Sequence, residues 1–118
     1  MTTKENLTMF KTVLTAVDDL DAAKAAWSAL LGEPTNDTPY YVGWTFDDHE
    51  VGLSRAQDPA DKGAIAYWHT SDIEGAIAGV VGAGGSRVKE PQDVGGGRLV
   101  AVVADTEGNR IGLIQDPS

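Results

Sequence analysis

Apolar residues along the chain change twice from a strand-like to a helix-like period. Residues 11–17 (KTVLTAV) form a β-rich run, and in the following DDLDAAKAAWSALLG the residues Leu20, Ala23, Trp27, Leu30 and Leu31 recur at the spacing of one helix face. Asp18 or Asp19 can cap that helix, because a short carboxylate accepts hydrogen bonds from the first unpaired backbone N–H groups. Gly32 supplies a left-handed stop and Pro34 forbids continuation. The aromatic and β-branched run 40–46 (YYVGWTF) and the run 50–55 predict a hairpin about the polar DDH turn, which makes the first half a β-α-β-β unit with room for an extra short strand.

The polar stretch QDPADKG at 57–63 reads as a linker, after which the pattern restarts. IAYWH at 65–69 predicts a strand. SDIEGAIAGVVGAGG predicts a helix capped by Ser71 or Asp72, with Ile73, Ala76, Ile77 and Val80 on its buried face and Gly82, Gly84 and Gly85 at its end. Runs at 86–90, 98–104 and 110–115 supply three further strands, the last two joined by the EGN turn at 107–109. One offset superposes Asp19 on Asp72, Trp27 on Val80 and Gly32 on Gly85, and Val51-Gly52-Leu53 matches Ile111-Gly112-Leu113 near the end of each half. This is the signature of an internal duplication.

Composition narrows the function classes. A chain of 118 residues suits one domain, and 18 acidic against 9 basic residues leave a net charge of −9, which repels nucleic acid and anionic membrane surfaces alike. With no cysteine there is no disulfide, thiolate metal site or cysteine nucleophile. No apolar run reaches signal-peptide or membrane-span length, so the expectation is a soluble, cytoplasmic protein with neither nucleic-acid nor membrane partners.

The strand leading into DDLDAAKAAWSALLG, the second strand leading into SDI, and above all the ending VADTEGNRIGLIQD resemble the vicinal oxygen chelate superfamily of glyoxalases, bleomycin resistance proteins and extradiol dioxygenases. The resemblance spans about residues 10–116. It implies an α+β fold of two βαβββ modules, at about 10–56 and 64–116, forming one domain over 1–118, with curved mixed sheets making a cup and helices on its outer face. It also implies a homodimer, a family habit that agrees with the tendency of proteins to cover exposed sheet edges. Metal-dependent members resemble one another in ligating a divalent ion with His or Glu from the first and last strands of each module. Seven residues before Asp19 and Asp72 this chain has Thr12 and Ile65, and at the closing-strand positions it has Gly52 and Gly112. The expectation is therefore no metal ligand and no cofactor.

Alternation along a strand sends Tyr67 and His69 to the same side as Ile65, and Ala66 and Trp68 to the helix layer. In YYVGWTF the continuous row Tyr40, Val42, Trp44, Phe46 looks like core, which favours Tyr41 as the residue lining the cup, with Trp44 the alternative. Glycines at 52 and 112 would leave room in each half for a ligand, or for closure by long neighbours such as Arg110 and Ile114. His69 is a candidate acid or base, weighed against a strand-end histidine bonded to backbone or water. His49 reads as a solvated turn residue and Trp27 as core. VGGGR at 94–98 lacks the Lys-Ser/Thr end of a nucleotide loop and reads as a rim loop. The expected function is a non-metal small-molecule-binding protein that takes up an aromatic metabolite or antibiotic through Tyr41, Trp44, Gly52, Ile65, Tyr67, His69 and Gly112. The rival is a lyase, isomerase or dioxygenase of the same fold, either metal-dependent through other ligands or metal-free through His69.

Overall fold

Helix α1 (Leu20–Leu31) begins where Asp19 turns extended and its carboxylate accepts the Ala22 N–H at 3.0 Å, and it stops where Gly32 takes φ 87°. Helix α2 (Ile73–Gly82) repeats the start, with Asp72 accepting the Gly75 N–H at 3.0 Å, and its chain leaves through Ala83 and the left-handed Gly84. Both caps satisfy donors that the first helical turn cannot pair internally. The computed structural model describes residues 9–57 and 61–117. Around the helices run strands β1 (Met9–Val17), β2 (Asn36–Asp37), β3 (Tyr41–Phe46), β4 (His49–Arg55), β5 (Gly63–His69), β6 (Ser86–Asp93), β7 (Leu99–Ala104) and β8 (Arg110–Gln115). The extra short strand of the first half is β2.

The chain divides into two compact units, one of Lys11–Ile65 and one of Ala66 onward together with the start of β1 up to Phe10. In the first unit the strands lie in the order β2-β3-β4-β1: β3 is antiparallel to β2 and β4, and β1 is parallel to β4 with Thr12 opposite Glu50 and Leu14 opposite Gly52. The second unit repeats this as β6-β7-β8-β5, with β5 parallel to β8 and Tyr67 directly opposite Gly112. The class is α+β, and both units are βαβββ modules. The duplication expected from the sequence extends to strand order and direction.

Each unit packs its helix on one face of its sheet. In the first, Leu20 of α1 lies against Val42, Trp44 and Leu53, edged by Val17, Ala23, Trp27, Leu31 and Val51. In the second, Ile73 and Ile77 of α2 lie against Ala101, Val103 and Leu113, edged by Trp68, Val80 and Ile111. Full burial of a side chain of this size contributes about 2 kcal/mol. The helical stripes named from periodicity are thus the ones that pack, except that Leu30 is 80% exposed. Strand β6 carries Pro91 and two register shifts against β7, irregularities that discourage further pairing along that edge. No helix among the described residues is long and apolar enough to cross a membrane.

Candidate functional site

Because side chains alternate along a strand, the residues between the helix-packed ones point to the opposite, open face of each sheet. In the first unit these are Thr12 and Leu14 on β1, Tyr41 and Gly43 on β3, and Glu50 and Gly52 on β4. Trp44 does not belong among them. It is 1% exposed, stacks on Trp27 at a centroid distance of 6.4 Å, and donates its Nε1–H to the Gly32 carbonyl at 2.9 Å. The structure thus corrects the alternative that placed Trp44 at a ligand site, since its whole surface is spent on the core beneath α1. Tyr41 occupies the open face.

Gly52 leaves no empty room there. A Cβ at position 52 would collide with the Tyr41 hydroxyl and approach Tyr41 Cε1 to 2.8 Å and Leu14 Cδ2 to 2.7 Å. Gly43, paired with Gly52 across β3 and β4, lies under the same ring, 2.8 Å from Tyr41 Cε2 to the position its Cβ would take. The second unit reaches the same result by another route. Tyr67, on the neighbouring parallel strand, lays its ring on Gly112, so that a Cβ at 112 would come to 2.5 Å from both Cγ and Cε2. In each half, then, a tyrosine ring fills the space the glycine opens, and Arg110 and Ile114 are not what closes it. Real Cβ atoms do not approach that closely, so glycine is the residue these ring positions require.

Two polar groupings on the open faces were not read from the sequence. In the first unit the buried Thr12 hydroxyl donates to Glu50 Oε1 at 3.1 Å. In the second, His69 is 6% exposed at the end of β5, opposite Ile114 of β8. Its Nδ1 stands 3.5 Å from Asp116 Oδ2, and Arg98 Nε donates to Asp116 Oδ1 at 2.6 Å. The Arg98 hydrogen bond, reinforced by the Arg98 charge and the His69 contact, holds the Asp116 carboxyl below the usual carboxylate range against a smaller desolvation effect. A signal for both was present. Glu50 has the same strand parity as Gly52, and Asp116 the same parity as Gly112 and Ile114.

Tyr67, His69 and Gly112 come together on the second unit, and Tyr41 and Gly52 on the first. Ile65 is half-buried on the part of β5 that groups with the first unit. His49 is not in the turn but is the exposed first residue of β4, with Nδ1 3.1 Å from Asp48 Oδ1. The glycine loop after β6 has Gly95, Gly96 and Gly97 all at positive φ, and the Asp93 carboxylate accepts the Gly95 and Gly97 N–H groups at 2.8 and 3.3 Å. Those N–H groups are turned to Asp93, which accords with the reading against a phosphate loop. On the helix side of the first unit a shallow depression of about 420 Å³ is lined by Lys24, Ser28, Gly32, Glu33, Pro34 and Asp37. The Lys24–Asp37 ion pair at 2.5 Å bridges it, and none of the expected ligand-binding residues reaches it.

The family model described as a glyoxalase-like domain matches residues 12–114. No curated protein matches the sequence. Among solved structures, methylmalonyl-CoA epimerase from Mycobacterium tuberculosis is 16% identical with a TM-score of 0.72, covering 100% of this chain and 94% of its own. A glyoxalase/bleomycin resistance protein/dioxygenase superfamily member from Vibrio splendidus 12B01 is 20% identical with a TM-score of 0.66, covering 89% of this chain and 97% of its own. A structure described as NAD-dependent benzaldehyde dehydrogenase from Legionella pneumophila is 13% identical with a TM-score of 0.69, covering 90% and 98%. At such identities the likeness is one of fold.

Proposed function

The chain belongs to the glyoxalase-like domain family of the vicinal oxygen chelate superfamily, and from that premise we propose that it is a non-metal binding protein for a small, partly aromatic molecule. The observation that carries this reading is the pair of tyrosine rings seated on Gly52 and Gly112, the positions where metal-dependent relatives are expected to carry a carboxylate. The residues at the four expected ligand positions, Thr12, Ile65, Gly52 and Gly112, do not fit a divalent ion. One offers a neutral hydroxyl already donating to Glu50, and the others offer no donor atom. A carboxylate introduced at either glycine would first have to displace a ring. What the sheet faces turned from the helices carry instead is the half-buried Tyr41 ring, the buried Tyr67 ring and His69 imidazole, and the Arg98 guanidinium, a mixture that could orient a planar ligand once it gains access. The uptake of an aromatic metabolite or antibiotic is tested by thermal shift and calorimetry against a panel of such compounds. Saturable stabilisation by members of the panel is expected, and a flat response across it rejects the reading.

The His69–Asp116 contact favours one further reading, an enzyme of the same fold that moves a proton with His69 and needs no metal. Turnover of a bound panel compound that disappears in His69→Gln distinguishes it from sequestration. We also propose a homodimer as the working form. The proposal rests on the family habit and on the tendency of proteins to cover exposed sheet edges.

A further inference from the structure

One wall of the depression on the helix side of the first unit is a single line down α1. Lys24 and Ser28 stand one turn apart and Gly32 follows one turn later, so the three share a helix edge. Gly32 leaves open space at the foot of the wall, because a Cβ there would meet nothing within 4 Å. Its carbonyl accepts from Trp44 Nε1 and its N–H donates to the Ser28 carbonyl, so this backbone is satisfied. The chain returns through Glu33 and Pro34, and β2 brings Asp37 across to Lys24.

Two features of this wall serve no purpose in folding. The Ser28 hydroxyl is shut off from solvent and has no hydrogen-bond partner, although a serine inside a helix ordinarily turns its hydroxyl to solvent or to the carbonyl four residues back. The second feature is charge. Lys24 stands among Asp37, Asp21 and Glu33, and the Asp37 hydrogen bond above all, with the charges of the three carboxylates, holds its ammonium above the ordinary lysine range against a smaller desolvation effect. No group of three His, Cys, Asp or Glu suited to a metal ion occurs among the described residues, so the donors here point to an organic ligand.

We propose that this depression is a further binding site, for a small zwitterion that carries an ammonium and a carboxylate, of which a free amino acid is the simplest. The ligand enters between Lys24 and Asp37. Its carboxylate takes the Lys24 ammonium and the Ser28 hydroxyl, and its ammonium takes the Asp37 and Glu33 carboxylates. Ionic partners are exchanged rather than lost, and the Lys24–Asp37 pair opens at little cost because its side chains are 36% and 44% exposed. A helical side chain leans toward the N-terminus, which sets Ser28 beneath the Lys24 stem, so lifting Lys24 off Asp37 uncovers the hydroxyl. A volume of about 420 Å³ admits a molecule of amino-acid size. The site stands apart from the open-face site proposed above, and neither needs the other.

The test is a titration of the full chain with the free amino acids, followed through the ¹H–¹⁵N spectra of its backbone amides at fixed ionic strength. Saturable shifts centred on residues 24–37 are expected with one or more of them. The matching N-acetyl compound lacks the ammonium and the matching amide lacks the carboxylate, so each is expected to bind about tenfold more weakly. Ser28→Ala gives a readout that a structural role would not: affinity should fall while the melting temperature holds or rises, since the parent hydroxyl bonds nothing in the unliganded chain. Asp37→Asn is expected to weaken binding about tenfold, and Lys24→Met serves if that variant does not fold. Absence of saturable shifts at residues 24–37 with every amino acid overturns the proposal. So does equal binding of the acetylated or amidated forms, or a Ser28→Ala protein that melts lower and binds as the parent does.

Discussion

The ring of Tyr67 rests on the backbone of Gly112, the residue directly opposite it on the parallel neighbouring strand. Gly112→Ala is therefore expected to drive the ring off the strand and to cost about 1–3 kcal/mol, as overpacking of a filled site does. In a Tyr67→Ala background the same change is expected to be nearly neutral. Urea denaturation of the four proteins of this cycle measures the coupling, expected at about 1–2 kcal/mol. Independent, additive effects would mean that ring and glycine do not constrain each other.

Trp44 and Trp27 make the aromatic part of the first core. Trp44→Phe keeps a ring but leaves the Gly32 carbonyl without its indole donor, an expected loss of about 1 kcal/mol beyond the smaller packing loss. Trp44→Ala is expected to cost about 3–5 kcal/mol. Ligand affinity of the phenylalanine variant should stay at the parent value, because Trp44 faces away from the open face.

Asp105 accepts the backbone N–H groups of Glu107 and Asn109 and the Asn109 side-chain amide, at 2.8–2.9 Å. The Asn109 bonds, side chain first, lower its pKa from the ordinary value. A carboxyl whose folded-state pKa is depressed contributes stability that is fully present above its unfolded-state pKa and is lost as pH falls through the folded one. Asp105→Ala should therefore melt below the parent at neutral pH, and the two melting curves should converge in strong acid. A gap between them that is independent of pH would show that the turn does not depend on the ionised carboxylate.

For any compound found in the panel, His69→Gln is expected to weaken binding at least tenfold, about 1.4 kcal/mol. Tyr67→Phe separates the hydroxyl from the ring: unchanged affinity marks a stacking platform, and a loss of similar size marks a polar handle. Should His69→Gln lower the melting temperature and leave affinity untouched, His69 is a strand-end stabiliser.

Sedimentation equilibrium at micromolar concentration should return about twice the chain mass of 12.4 kDa. A single species at the chain mass rejects the homodimer.

Hydropathy period and cap chemistry carried most of the fold. Asp19 and Asp72 cap as expected, the helix stripes pack, and Trp68 turns to the helix while Tyr67 turns away. The open faces were less legible, because they depend on which residues stand opposite one another. Nothing local to YYVGWTF says that the Tyr41 ring will cross to Gly52, two register positions from its own partner Ser54. Nor does a carboxylate beyond the last strand declare its partner, and Asp116 meets His69 only because β8 lies beside β5. Glu50 reads as the start of a strand, but nothing in the run 50–55 says that this strand will lie parallel to β1 and set Glu50 opposite Thr12.

Strand order has a consequence for biosynthesis. In the second unit the strand made last, β8, lies between β7 and β5, inside its sheet rather than at the rim. Until the ribosome has released residues 110–115, both of those neighbours wait with a bare row of backbone donors and acceptors, and Ala101 and Val103, the helix-packed residues of β7, have only part of their cover. A message truncated just before Arg110 would therefore yield a chain with two complementary sticky edges rather than a slightly shortened protein, and such a product should be cleared or should aggregate.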